Sequence, residues 1–157
     1  MASLGDSVCT LVSKDRQLTK LSFEHTPQRA DEEKRIKSCH GNIIKGKVQG
    51  DLAVTRAIGN IEHKSIIIPE PETKSQLLTS NDDFLILSTD GLFRVYSQDH
   101  VAKRVFALRA AGYNLAQISE KIIEECLEPE KGKRAANDNI TLIIVDLAAY
   151  YSDRSTP

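Results

Sequence analysis

Residues 84–95 read FLILSTDGLFRV, in which five residues with the character of a buried strand lead directly into Asp90-Gly91. A short run of bulky apolar residues favours a buried strand. A carboxylate at the end of such a strand has two common explanations, which are a turn that the side chain stabilises and a ligand for a cation. The stretch therefore predicts a strand that ends at a turn or at a metal site, and the remaining sequence decides which.

The composition is that of a single globular domain. The 157 residues are 40% hydrophobic and 27% charged, and a chain of this length can bury a sizeable core. The formal net charge of −1 gives no overall field that favours nucleic acid or an anionic membrane. No apolar run approaches the roughly 18 residues of a spanning helix, and no signal-peptide pattern is present. We therefore expect a cytoplasmic or nuclear protein that binds neither nucleic acid nor membrane.

The first half of the chain alternates strand and helix signals. The β-prone runs Val8–Ser13 and Leu18–Phe23 flank a polar turn and predict a hairpin. A helix is predicted next, from a cap at Thr26 to Gly41 in the left-handed conformation. Glycines then divide the runs 43–48 and 52–58 into short strands, and the three isoleucines 66–68 indicate another.

The second half has the clearer pattern. The strand 84–88 follows a predicted strand at 76–78 and a polar turn. Ser97 caps a predicted helix that ends at Gly112, and Asn114, with Gln117 three residues later, caps a second. The β-branched run ITLIIVDL, residues 140–147, is long enough for a central strand.

Two acids lie where a strand meets a loop. Asp90 follows the strand 84–88, and Asp138, within Asn137-Asp138-Asn139, precedes the run 140–147. If the two strands are neighbours, these carboxylates converge and can share a hard divalent cation such as Mg²⁺ or Mn²⁺. Asp-Gly and Asn-Asp-Asn are also ordinary turn sequences, so the spacing alone leaves both explanations open.

Six segments, in order, resemble the second half of the metal-dependent type 2C Ser/Thr protein phosphatases. The family pattern runs GDSR, DHKP, G-x-LAVSRAIGD, PEPE, DGLWDV and a DN-x-T strand. The corresponding segments of this chain are LGDSV (4–8), SFEHTP (22–27), GDLAVTRAIGN (50–60), PEPET (69–73), TDGLFRV (89–95) and ANDNITLIIVDL (136–147). No single segment is specific, but six in the same order are hard to obtain by chance.

This resemblance implies a reaction and a metal site. In the family, two metal ions bridge a water or hydroxide that attacks the phosphorus of phosphoserine or phosphothreonine, and the ions lower the pKa of that water. The acid that begins the family's DGLWD is Asp90 here, and the acid of its DN-x-T motif is Asp138. The resemblance therefore implies that Asp90 and Asp138 ligate one Mg²⁺ or Mn²⁺ of the pair.

Several features of the family pattern are missing. Its first half carries a phosphate-binding arginine, an acidic pair and a DGH segment that binds both metals, and this chain contains no DGH. Asn60 and Arg94 replace two acids that belong to a third, weaker metal position in the family. Arg94 is expected either to pair with Asp90 or an anion, or to be a solvated surface arginine.

The sequence thus predicts an α+β fold, a truncated type 2C phosphatase-like layered β-sandwich of antiparallel sheets with flanking helices. Residues 1–147 are the expected C-terminal half of the phosphatase domain, and residues 148–157 a tail. We expect weak or absent metal binding and little or no dephosphorylation of phosphoproteins. The alternative is a non-catalytic regulatory or scaffolding pseudophosphatase module, which binds a partner protein or forms a homodimer through exposed strand edges.

Overall fold

A computed structural model gives the structure of the protein and describes residues 1–128 and 135–147. In chain order, the described elements are β1 (Ala2–Ser3), β2 (Val8–Ser13), β3 (Leu18–Lys20), α1 (Ala30–Ser38), β4 (Ile43–Ile44), β5 (Lys47–Val48), a 3₁₀ turn (Ile61–His63), β6 (Glu72–Thr73), β7 (Asp82–Ser88), α2 (Asp90–Phe93), α3 (Gln98–Ala110), α4 (Leu115–Leu127) and β8 (Leu142–Asp146). The chain divides into two compact units. The first unit comprises residues 1–7 and 22–75, and the second comprises residues 8–21 and those from 76 onward.

The second unit is built on an antiparallel sheet in the order β3-β2-β7-β8. The predicted hairpin is confirmed, since β2 pairs with β3. β2 also pairs with β7, and β7 pairs with β8 from Phe84↔Asp146 to Ser88↔Leu142. The prediction of a central strand at 140–147 is wrong, because β8 lies at the edge of the sheet as described. Its burial alternates along the strand, as a half-buried edge strand requires.

One face of this sheet packs against helices α3 and α4. Both predicted caps are confirmed: the Ser97 side chain accepts a hydrogen bond from the His100 N–H, and Asn114 and Gln117 form a capping box. The buried cluster between sheet and helices contains Val12, Phe84, Ile86, Leu92, Val101, Ala102, Val105, Leu108, Ile118, Ile122 and Cys126. At about 1.5 to 3 kcal/mol for each large apolar side chain, this cluster is the main source of stability in the second unit.

The opposite face of the same sheet is also apolar. Its residues fall into two cross-strand rows, one of Cys9, Leu87 and Ile143 and one of Leu11, Leu85 and Val145. Cys9 and Leu11 are buried together with Leu21 and Leu147, whereas Ile143 is 52% exposed and Val145 39% exposed. Each row therefore runs from a buried residue on β2 to an exposed residue on β8. An antiparallel sheet that faces water usually carries polar residues there.

The first unit consists of two small antiparallel sheets and one helix around its own core. β1 pairs with β6, β4 pairs with β5, and α1 contributes Ile36 to a buried cluster with Val48, Ile66 and Ile67. The strands predicted over 52–58 and 66–68 are reduced to the isolated bridges Val48↔Leu52 and Arg56↔Ile68. The backbone N–H groups of Ile66 and Ile67 both donate to the His63 carbonyl at 2.8 Å, so these isoleucines reach the core from a turn. The short strand predicted at 76–78, which belongs to the second unit, is also absent.

The boundaries of α1 differ from the prediction. The helix begins after Arg29, with Thr26 in the preceding turn rather than at the cap, and ends at Ser38. His40, with φ 59°, takes the left-handed conformation expected of Gly41. Gly41 is needed for another reason, since a Cβ there would lie 2.9 Å from the Cγ2 atoms of both Ile36 and Ile66. Close packing, not backbone freedom, therefore selects this glycine.

Three further features are the cysteines, the length of the helices and the C-terminal tail. Cys9, Cys39 and Cys126 are thiols and not disulfides; Cys9 and Cys126 are buried, and Cys39 is exposed. Within the described residues, no helix combines the length and apolarity that a bilayer crossing requires. The expected tail at 148–157 lies outside the described residues.

Candidate functional site

The two acids singled out in the sequence do come together. β7 ends at Ser88, and Asp90 opens the single turn of α2. Because Ser88 pairs with Leu142 at the start of β8, the loop that carries Asp138 approaches the end of β7. The Oδ2 atoms of Asp90 and Asp138 lie 2.5 Å and 3.4 Å from the same Nη2 nitrogen of Arg94. The predicted convergence of the two carboxylates at one sheet end is confirmed.

Hydrogen bonds hold the two chain segments together at this point. The Thr89 N–H donates to the Thr141 carbonyl (3.2 Å), and the Thr141 N–H donates to the Thr89 hydroxyl (3.1 Å). The Ser88 hydroxyl also donates to the Thr141 carbonyl, at 2.7 Å. The ladder between β7 and β8 thus extends beyond the strands through side chains, which fixes the spacing of the loops that carry Asp90 and Asp138.

Gly91 lies where these two loops approach each other closely. A Cβ at this position would lie 2.3 Å from the carbonyl oxygen of Asn139, a distance that no side chain can accommodate. Gly91 does not have a positive φ, so the Asp90-Gly91 pair does not form a turn with a left-handed glycine. Asp138 does show the turn chemistry, since its Oδ1 accepts from the Asn139 N–H at 2.9 Å. The turn explanation is thus realised at Asp138, whereas close packing accounts for Gly91.

Arg94 occupies the space between the carboxylates. It follows Asp90 by one helical turn, and its Nε and Nη2 atoms donate to the same Asp90 oxygen at 2.9 Å and 2.5 Å. All three side chains are partly exposed, Arg94 to 45%, Asp90 to 29% and Asp138 to 42%. Of the two alternatives for Arg94, the structure supports pairing with Asp90, and it adds an unforeseen contact with Asp138.

The residues present do not fit a tightly held divalent cation. Such an ion needs about six oxygen ligands, of which water supplies part. Within residues 1–128 and 135–147, no group of three or more His, Cys, Asp or Glu side chains is placed to hold a metal. Asp90 and Asp138 offer only two carboxylate ligands, and the Arg94 guanidinium already neutralises part of their negative charge. The assignment of Asp90 and Asp138 as metal ligands therefore stays a prediction.

A second acidic centre, which the sequence did not reveal, lies in the first unit. Glu32 on α1 is 1% exposed. It accepts hydrogen bonds from the Thr55 hydroxyl (2.6 Å), from Arg35 (2.8 Å) and from Arg56 (2.5 Å and 2.9 Å). Burial by itself raises the pKa of Glu32, but these bonds to its charged form outweigh burial and lower the pKa to about 2. Arg56 therefore binds a buried carboxylate of the first unit.

His25 and Asn60 also belong to the first unit. His25 is fully buried, its Nδ1 lies 3.2 Å from the Gly5 carbonyl oxygen, and its Nε2 lies 3.4 Å from a Glu72 oxygen. These contacts indicate a structural role for His25. Asn60 is exposed and has a left-handed backbone, with φ 50°, which asparagine tolerates better than most residues.

Comparison with known proteins agrees with the resemblance. A sequence model of the protein phosphatase 2C family matches residues 1–135. The chain is 30% identical to probable protein phosphatase 2C 21 of Arabidopsis thaliana, over 92% of this chain and 43% of the plant protein. It is 33% identical to protein phosphatase 2C homolog 2 of Aspergillus fumigatus, over 94% of this chain and 36% of the fungal protein. The chain thus spans less than half the length of these curated relatives.

Solved structures confirm the fold. A C. elegans sex-determining protein superimposes with a TM-score of 0.82 at 29% identity, over 93% of this chain and 36% of that one. A serine-threonine phosphatase 2C from Toxoplasma gondii superimposes with a TM-score of 0.78 at 23% identity, over 92% of this chain and 53% of that one. The predicted α+β class and phosphatase-like arrangement are therefore confirmed. The chain belongs to the protein phosphatase 2C family.

Proposed function

We propose that these 157 residues are a type 2C phosphatase-like domain that carries one carboxylate pair of the family's metal centre. The family reaction is the metal-dependent dephosphorylation of phosphoserine and phosphothreonine proteins. We further propose that this chain by itself carries out that reaction weakly or not at all. The observation that carries the proposal is the position of Arg94, whose guanidinium contacts both Asp90 and Asp138.

Asp90 and Asp138 are the residues that would hold Mg²⁺ or Mn²⁺. When bound, such an ion neutralises phosphate charge and lowers the pKa of its water. The chain's own contribution is to hold the two carboxylates at one sheet end, through the bonds of Ser88 and Thr89 to Thr141. With Arg94 between them, the pair presents a net charge of about −1 instead of −2, which weakens the attraction for a cation. Few protein ligands and a reduced charge both favour weak binding.

The direct test is calorimetric titration of the 157-residue chain with Mn²⁺ and with Mg²⁺, beside an Asp90→Asn/Asp138→Asn double variant. Phosphopeptide hydrolysis is followed in the same samples. We expect weak or absent binding and little turnover in both proteins. Tight, saturable binding that the double variant loses, together with turnover in the unaltered chain, would overturn the proposal.

A second candidate function is that of a non-catalytic module that binds protein. The observation that favours it is the apolar sheet face of the second unit, where Ile143 and Val145 on the edge strand β8 are exposed. Exposed edge strands and contiguous apolar surface commonly mark association sites. Because the two cross-strand rows contain no charged residue, they fit another apolar surface, and a second copy of the chain provides one. We propose self-association through this face, with a partner protein as the other possible occupant.

This second proposal is tested by the mass of the chain in solution. Sedimentation equilibrium is compared for the unaltered chain, for Ile143→Lys, and for Ile58→Lys as a control. Ile58 is 86% exposed and belongs to the first unit, outside the apolar sheet face. We expect a dimer for the unaltered chain and the control, and a monomer for Ile143→Lys. A monomeric unaltered chain would rule out self-association and direct attention to a different partner.

A further inference from the structure

The carboxylate pair of the second unit has an internal source of positive charge. The Oδ2 atoms of Asp90 and Asp138 lie 2.5 Å and 3.4 Å from one nitrogen of Arg94, and two carboxylates this close repel each other unless a cation lies between them. Among the described residues, the ion pairs of both acids are with Arg94. Arg94 is therefore in the place that a shared cation would need to occupy.

The position of Arg94 is set by the backbone and not only by its side chain. Its own N–H donates to the Asp90 carbonyl at 3.0 Å, which closes the single turn of α2. This turn places the guanidinium on the same side as the Asp90 carboxylate. The planar fork then bonds Asp90 through two nitrogens and reaches Asp138 through one of them.

We infer that Arg94 is a built-in counter-cation that keeps divalent metal ions out of the Asp90/Asp138 pair. In this inference, removing the guanidinium turns the pair into a Mg²⁺ or Mn²⁺ site, because the carboxylates then need another cation. The inference deepens the proposed function, on which it rests, by naming the residue that controls metal binding. It concerns metal affinity alone and makes no statement about turnover.

The test uses the full 157-residue chain and Mn²⁺ alone as the probe. Binding is measured by electron paramagnetic resonance of free Mn²⁺ in four proteins, which are the unaltered chain, Arg94→Gln, Arg94→Lys and the triple variant Arg94→Gln/Asp90→Asn/Asp138→Asn. We expect Arg94→Gln to bind Mn²⁺ about tenfold more tightly than the unaltered chain, since one positive charge is removed beside the ion. Arg94→Lys should stay close to the unaltered chain, and the triple variant should lose the gained affinity.

A second readout is thermal unfolding with and without Mn²⁺. A ligand that binds only the folded state raises the melting temperature. We expect Mn²⁺ to raise the melting temperature of Arg94→Gln and to leave that of the unaltered chain unchanged. The charge explanation would be overturned if Arg94→Lys bound Mn²⁺ as tightly as Arg94→Gln, or if the triple variant kept the binding.

The unaltered chain can overturn the inference even if Arg94→Gln does not fold. Tight Mn²⁺ binding by the unaltered chain, abolished by Asp90→Asn/Asp138→Asn, would do so. The outcome is separate from that of the proposed function. Efficient phosphopeptide hydrolysis without Mn²⁺ binding at the pair would overturn the proposed function and leave the role of Arg94 standing.

Discussion

Each unit of this protein contains a centre where carboxylates meet arginines, and the two centres differ in burial. In the first unit, Glu32 is 1% exposed and is bonded by two arginines and a threonine. In the second unit, Asp90 and Asp138 are partly exposed and share one arginine. A buried charge must be fully bonded to be tolerated, whereas an exposed one is screened by water. The comparison indicates that the first centre contributes more to the stability of the fold than the second.

The largest expected effect is the loss of a partner at the buried centre. Replacing Glu32 by Gln removes the negative charge that compensates Arg35 and Arg56. Breaking a buried ion pair in this way costs about 3 kcal/mol, and we expect that loss in the free energy of unfolding measured with urea. The control is Glu33→Gln, because Glu33 is exposed and its ion pair with Lys37 lies on the helix surface; its cost should stay within about 0.5 kcal/mol. Similar costs for the two variants would remove the distinction between the centres.

The next effect tests how the exposed pair is held in place. Gly91→Ala forces a methyl group against the Asn139 carbonyl, 2.3 Å away, and we expect a loss of about 2 kcal/mol in unfolding free energy. Gly59→Ala serves as the control, because Gly59 has a positive φ but no atom within 4 Å of the added Cβ. Its cost should be the backbone term alone, about 1 kcal/mol. A harmless Gly91→Ala would mean that the loops carrying Asp90 and Asp138 can separate freely.

Signals that are local in sequence predicted much of the second unit. The caps at Ser97 and Asn114 and the strand before Asp90 each depend on a few neighbouring residues, and all three are confirmed. The convergence of Asp90 and Asp138 followed from one further assumption, that two strongly apolar strands are neighbours. Local signals could not predict that β8 lies at the sheet edge, because the number of strands that pair with a given strand depends on the whole chain.

Signals that depend on distant partners were missed in the first unit. Glu32 looked like one of several charges on a surface helix, and its partners Thr55 and Arg56 lie more than twenty residues away. Ile66 and Ile67 are β-branched residues typical of a strand. They are instead buried as part of a turn, in which their N–H groups donate to the His63 carbonyl. Tertiary packing overrides local propensity in such cases. The same limit applies to Arg94, whose contact with Asp138 spans two loops.

The pH dependence of stability sharpens the comparison further. The pKa of Glu32 falls from an ordinary value of 4.5 to about 2 on folding. Its contribution to stability is therefore fully present above pH 4.5 and is lost as the pH falls toward 2. The slope of unfolding free energy against pH in this window should be smaller in Glu32→Gln than in the unaltered chain, by up to about 1.4 kcal/mol per pH unit. Parallel curves from urea unfolding at several pH values would show that Glu32 is not the titrating group.

The smallest expected effect concerns lysine in place of each arginine. Arg56→Lys keeps the charge beside Glu32 but loses the two bonds to one carboxylate oxygen and the bond to the Glu70 carbonyl, and it should cost more than about 1 kcal/mol. Arg94→Lys acts where water can replace the lost bonds, so its cost should stay below about 0.5 kcal/mol and shrink further at high salt. Urea unfolding in low and high sodium chloride measures both. If Arg94→Lys proved as costly as Arg56→Lys and insensitive to salt, the exposed pair would be a structural ion network like that of Glu32. If Arg94→Lys costs little, the fold does not depend on Arg94. Removing Arg94 would then leave Asp90 and Asp138 in place for a cation.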